Sequence, residues 1–260
     1  MTANQLGFGP PTAPGGASAT GKREGRVGRL LAATKRAVRR FAEPPSTNYL
    51  YRKIEPSPYA LIPPDALIFD IGSKGEAGHY AFGSPPPGAR VVAVDIAPGP
   101  NVDLVADAHD LHMVPDNSVD CVVSVSVLEH VRYPQKVVAE IHRVLKPGGI
   151  VYLNIPFVFA FHGDPDDFYR FSCNGIRILC EAFEEVDSGF NRGPASSICD
   201  LLVRFCAILF CFNNRRLYEL NRMLFGWLLF WIKYLDAIIG RYEMARVIHA
   251  GAYFVGRKQG

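Results

Sequence analysis

Three observations predict an α/β fold with a doubly wound, mostly parallel sheet over residues 65–260. Short apolar runs alternate with turn-rich or helix-periodic stretches, the pattern of strands joined by crossovers. The first run, LIFDIGSKGE from Leu67 to Glu76, ends in Asp70 and is followed by Gly72 and Gly75, as when a buried strand delivers a ligand-binding turn at its carboxyl end. The second run, VVAVD, again closes on an acid, Asp95.

Taken in order, strands are expected at Ala66–Ile71, Arg90–Asp95, Val102–Ala106, Val119–Val125 and Ile150–Ile155. Between the first two, GEAGHYAFGSPPPGAR leaves little room for helix, so that crossover is predicted to be short or irregular. The clearest helix is Pro134–Leu145. Val137, Val138, Ile141, Val144 and Leu145 share one face, and Lys146-Pro147-Gly148-Gly149 stops it. A chain of 260 residues with 48% hydrophobic content can bury one substantial core.

The flanks differ from this core. Residues 1–21 are rich in Gly, Pro, Ala, Ser and Thr, lack apolar periodicity and are expected to be a disordered leader without a secretory apolar region. Residues 22–43 hold a basic amphipathic helix, in which Lys22, Arg23, Arg26, Arg29, Lys35, Arg36, Arg39 and Arg40 surround Val27, Leu30, Leu31, Val38 and Phe41. Three roles are open to it: a solvated helix docked on the domain, a membrane-surface contact, or an organelle-targeting segment. The proline-rich 44–64 reads as an extended linker. A net charge of +3 gives no indication of a nucleic-acid partner. The six cysteines, at 121, 173, 180, 199, 206 and 211, form no CxxC pair, so they read as buried thiols in a reducing, cytoplasmic setting, and no metal site is expected.

The chemistry converges at the strand ends. Glycine at 72 and 75 lets the backbone approach a ligand, and Asp95 stands where an acid accepts hydrogen bonds from both ribose hydroxyls of a nucleoside cofactor. Ile96, beside it, is grouped with the cofactor-binding residues. Asp107 and the Ala108 N–H leave the third strand, where they can read an adenine ring.

The series FDIGSKG, VVAVDIAP, ADAHDLHMVPDNSVDCVVSVSVLEHV and EIHRVLKPGG strongly resembles the class I S-adenosylmethionine-dependent methyltransferases, type 11 group, across about Ala66–Phe190. The resemblance implies a Rossmann-like seven-stranded sheet whose last strand is antiparallel, supplied by Ala252–Gly256. It also implies S-adenosyl-L-methionine as cofactor, with Asp70, Gly72 and Gly75 at the methionine end, Asp95 at the ribose, and Asp107 with Ala108 at the adenine. In VSVSVLEHV, it places Ser124 or Val125 beneath the reactive sulfonium. Lys74 stands where the family commonly has a further glycine.

Glu129 and His130 are secondary catalytic candidates, with orientation of the loop as the alternative. Downstream, PFVFAFHGDPDDFYRFS follows the fifth strand. His162 there can act as base toward an acceptor hydroxyl, or belong to a network that only fixes the loop. Tyr169 and Arg170 either hold the acceptor or brace that loop.

The apolar insertion 198–240 has two stretches, Ile198–Phe212 and Met223–Ile239, each short for a membrane span and each carrying charges. A helical hairpin is expected, serving as lid, dimer surface or interfacial contact. The activity expected is methyl transfer to a small-molecule, glycan or lipid-linked acceptor at oxygen. Its rivals are a membrane-associated adaptor with a degenerate nucleotide fold and an NAD(P)-dependent dehydrogenase.

Overall fold

The structure, a computed structural model, describes residues 43–50, 52–73, 82–163 and 166–260. The expected leader, the basic segment 22–41, Gly75 and much of the connection after the first strand lie outside the described residues. The chain divides into two compact units. One comprises 47–201 with 231–260, and the other comprises 202–230 with the described residues 43–46.

The first unit contains seven strands: β1 (Leu67–Ile71), β2 (Arg90–Asp95), β3 (Leu104–Val105), β4 (Val119–Val125), β5 (Leu145–Pro156), β6 (Glu184–Arg192) and β7 (Gly251–Arg257). Their order is β3-β2-β1-β4-β5-β7-β6. β1 to β5 run parallel, and β7 lies antiparallel between β5 and β6. This is the seven-stranded sheet with an antiparallel last strand that the motifs imply. β1 is buried at all five positions, as a central strand covered on both faces must be.

Helix α1 (Pro134–Val144) buries Val137, Val138, Ile141 and Val144, the predicted face. It ends one residue early because Leu145 turns extended and pairs with Val119 as the start of β5. β3 is shorter than the expected Val102–Ala106. A carboxylate oxygen of Asp103 accepts the Ala93 N–H (2.9 Å), taking a ladder position that backbone would otherwise fill. The 44–64 stretch is more than a linker, since Ile54 and Tyr59 are buried in the core and Pro58–Leu61 forms a 3-10 turn. Helix α2 (Cys173–Leu179) is capped by the Ser172 hydroxyl, which accepts from the Gly175 N–H.

The apolar insertion is helical but differently divided. Helix α3 (Pro194–Leu209) starts at Pro194 rather than Ile198. Helix α4 (Arg215–Leu229) begins where the Asn214 side chain accepts from the Arg216 and Leu217 N–H groups. A 3-10 turn at Phe230–Leu235 and the short helix α5 (Asp236–Ile239) follow, in place of one apolar stretch to Ile239. The break brings the fully buried Asp236 to the start of α3. Its carboxylate accepts from Ala195 N (2.8 Å), Ser196 N (2.9 Å) and Ser196 Oγ (2.7 Å), satisfying donors that a helix N-terminus leaves open. Among the described residues no helix is long and apolar enough to cross a membrane.

Candidate active site

The strand order reverses direction of growth at β1, between β2 and β4, and ligands of open α/β sheets bind outside the carboxyl ends at such a point. A cavity of about 430 Å³ opens there. Its walls come from the end of β1 (Ile71, Gly72), the end of β2 (Val94, Asp95, Ile96), the turn after β3 (Ala106, Asp107, Ala108, His109) and the turn after β4 (Ser126, Val127). His130, Val131, Arg132, Asp166 and Phe168 close the remaining side.

Gly72 has φ +75°, and a Cβ added there would lie 2.3 Å from Val127 Cγ2. Its N–H donates to Val94 O (2.7 Å), tying the turn to β2. Asp95 is buried at the tip of β2, where its Oδ1 accepts from Ala97 N (3.0 Å). Asp107 Oδ1 accepts both from the His109 N–H (2.9 Å) and from His109 Nδ1 (2.6 Å). The imidazole therefore carries its proton on Nδ1, leaving Nε2 to accept from Tyr133 N (3.4 Å). Burial raises the Asp107 carboxyl, but the His109 hydrogen bonds outweigh it and hold the group below the ordinary range. Both bonds end on Oδ1, so Oδ2 remains to receive a ligand's amino group.

Gly72, Asp95, Ile96, Asp107 and Ala108 thus border one cavity. Asp70 is buried in β1 and is not part of the wall. Ser124 is also buried, and Val125 packs against the core on the side of Ile54 and Tyr59. The wall after β4 is made instead by Ser126 and Val127, because Ser126 adopts φ +56° and turns the chain toward the cavity. A non-glycine residue in that conformation leaves no mark in the sequence. Arg132 and Phe168, which face one another at 5.9 Å in a cation–π contact, were likewise not singled out by sequence.

The acceptor-side candidates divide. Arg170 donates to Asp167 Oδ2 (2.6 Å), Phe159 O (3.3 Å), Ala160 O (3.2 Å) and Tyr169 O (2.8 Å), and to Asp167 Oδ1 as well. Asp167 in turn accepts the His162 N–H (2.9 Å). The Arg170 guanidinium holds the Asp167 carboxyl far below the usual range. Tyr169 donates its hydroxyl to Arg132 O (2.9 Å). In this arrangement Tyr169 and Arg170 brace the loop, and neither lines the cavity.

Glu129, His130 and His162 converge. Glu129 is fully buried, with His162 Nε2 at 3.4 Å and His130 Nε2 at 3.8 Å from its Oε1. Burial pushes the Glu129 carboxyl up, and the two imidazoles offset that only in part. Of the three, only His130 lines the cavity.

Residues 69–153 match the family described as methyltransferase domain. Residues 69–153 of this chain therefore carry a methyltransferase domain. Its curated relatives include thiol S-methyltransferase TMT1B of Rattus norvegicus, 35% identical over 106 residues (34% of this chain, 41% of the relative). Thiol S-methyltransferase TMT1A of Homo sapiens is 35% identical over 103 residues (33% and 40%). The chain thus spans about two fifths of the length of these relatives. Among solved structures, a phosphoethanolamine N-methyltransferase 2 of Haemonchus contortus in complex with S-adenosyl-L-methionine is 18% identical, covering 75% of this chain and 49% of that one, with a TM-score of 0.43. The cavity residues fit a nucleoside cofactor: Gly72 turns the chain at φ +75° with no side chain, Asp95 is a buried acid at the end of β2, and Asp107 is a second acid after β3.

Proposed function

We propose that the protein transfers the methyl group of S-adenosylmethionine to a small thiol, with Gly72 at the methionine end, Asp95 and Ile96 at the ribose, and Asp107 with Ala108 at the adenine. The observation that carries this reading is that residues from three separate strand ends border one cavity of about 430 Å³. That size suits a ligand of nucleoside-cofactor bulk. The cofactor supplies an electrophilic methyl group. The chain's part is to hold donor and acceptor in line and exclude water, with Phe168 and Arg132 in the cavity wall.

The acceptor reading departs from the expectation of oxygen. The named relatives are thiol S-methyltransferases, and a thiol loses its proton far more readily than a hydroxyl, so it asks less of a base. Neither the NAD reading nor the adaptor reading has support among these relatives. The test incubates the protein with methyl-labelled S-adenosylmethionine and matched small thiols and alcohols, reading S-adenosylhomocysteine and labelled product together. Thioether formation is expected. Ether formation with no thioether overturns the sulfur assignment, and calorimetry that shows NAD but not S-adenosylhomocysteine binding overturns the whole reading.

A peripheral contact with the cytoplasmic face of a membrane belongs to the same proposal. In the second unit, Phe205, Ile208, Leu209 and Phe212 recur at helical spacing along and just beyond α3, and Leu220, Leu224, Trp227 and Leu228 do so on α4, all exposed. Such stripes, rimmed by aromatic side chains, suit the lipid–water interface and would bring the enzyme to apolar or lipid-linked acceptors. Co-sedimentation with anionic vesicles is expected, weakened by salt and by removal of residues 1–42, and reduced by Leu220→Asp with Leu224→Asp. Full-length protein left in the supernatant at low salt overturns it.

A further inference from the structure

The cluster of Glu129, His130 and His162 holds a chemical contradiction that a cation resolves. His130 Nδ1 lies 2.5 Å from Asp166 O, and His162 Nδ1 lies 3.1 Å from Ala160 O. A carbonyl oxygen can only accept, so both rings carry a proton on Nδ1. Their Nε2 atoms, if the rings are neutral, are bare lone pairs. Yet both Nε2 atoms lie close to Glu129 Oε1, at 3.4 and 3.8 Å, and Glu129 is fully buried with no well-aligned hydrogen bond to either carboxylate oxygen. Two lone pairs and a buried carboxylate turned on one another repel unless positive charge sits among them.

We propose that Glu129, His130 and His162 form a binding site for a divalent transition-metal ion of the zinc class. One carboxylate oxygen and two imidazole nitrogens lie within 4.8 Å of one another. The Nε2-to-Oε1 separations of 3.4 and 3.8 Å are near the roughly 3.3 Å between ligand atoms around a tetrahedral ion with bonds of about 2.0–2.1 Å. Two imidazoles favour zinc, cobalt or iron over magnesium or calcium, which take oxygen ligands. The outer arrangement is also that of a metal site. Each ring donates its other nitrogen to a backbone carbonyl, which fixes the tautomer that leaves Nε2 free to ligate. The loop bearing Asp166 and Ala160 is itself anchored by Phe168 N donating to Glu129 O (2.7 Å) and by Arg170 donating to Ala160 O. Three protein ligands leave at least one position for water or a substrate atom, and His130 belongs both to the site and to the cavity wall. The site does not depend on the identity of the methyl acceptor.

The test uses the full chain, stripped with a chelator, returned to chelator-free buffer and titrated with Co²⁺. One Co²⁺ per chain is expected, with visible bands of nitrogen and oxygen ligation and without the intense near-ultraviolet bands that ligation by any of the six cysteines would give. Zn²⁺ should displace it. His162→Gln, at a partly exposed position, should weaken Co²⁺ binding at least about tenfold while its metal-free melting curve matches that of the parent. If that variant fails to fold, His130→Gln serves the same purpose. Absence of stoichiometric binding, thiolate bands, or unaltered Co²⁺ affinity in a folded histidine variant each overturns the site, and the first of these leaves a shared proton as what reconciles the cluster.

Discussion

Gly72→Ala tests the cavity turn at its tightest point. The backbone there has φ +75°, a conformation that costs an alanine about 1–2 kcal/mol relative to glycine. The added methyl would stand 2.3 Å from Val127 Cγ2 and 3.4 Å from Val127 Cβ, against the roughly 3.5–4.0 Å of a comfortable carbon contact. Relief requires Val127 to move, and overpacking of this kind costs about 1–3 kcal/mol. The two effects add to about 2–5 kcal/mol, which for a domain of this size lowers the melting temperature by roughly 5–20 °C. Because Val127 is also cavity wall, S-adenosylhomocysteine affinity should fall with it. Thermal melts and calorimetry read both. Adding Val127→Ala to Gly72→Ala should recover the overlap part and leave the backbone part. A Gly72→Ala protein that melts and binds like the parent would refute the turn geometry.

Asp95→Asn keeps an oxygen for the Ala97 N–H but halves the acceptors offered to ribose hydroxyls, so S-adenosylhomocysteine binding should weaken by about 1–3 kcal/mol with little change in melting. Calorimetry showing unchanged affinity rules out the ribose assignment. Arg170→Lys retains the charge but loses the fork that joins Asp167 to three carbonyls, and should lower stability by about 1–3 kcal/mol in a denaturant titration. His249 is buried between Phe157 and Phe190, and burial pushes its imidazole down to about 4. Its folded state therefore refuses a proton that the unfolded chain accepts from about pH 6.5, and stability falls as pH drops from about 6.5 toward about 4. His249→Phe should flatten that part of the acid limb. An acid limb identical to the parent's would show that His249 does not drive it.

What the sequence disclosed was what repeats at strand ends. Asp95, Gly72 and Asp107 were legible because an apolar run that stops on an acid or a glycine marks where a parallel strand reaches solvent. β6 was harder to read, since EEVDSGFNR is largely polar and only half buried, without the alternation of a strand facing a core. Ser124 or Val125 was expected at the cavity from the family resemblance of VSVSVLEHV alone, and the reversal at Ser126, which no motif marks, shifts the wall to Ser126 and Val127. His162 and Glu129 were each noticed, but far apart in the chain, and only the folding back of the loop after β5 puts their side chains 3.4 Å apart.

The Asp236 contact at the start of α3 fixes where the helical insertion leaves and rejoins its unit. Gly193 has no Cβ because one would lie 2.5 Å from Asp236 Oδ1, so the exit and return of the chain meet almost atom to atom. Once two points of a chain are pinned, the length between them matters little: doubling a closed loop adds only about 0.6 kcal/mol of entropy cost. Changes to the surface of residues 202–230 therefore leave this closure in place, and selection can alter what that region touches without moving the point where the chain leaves β6.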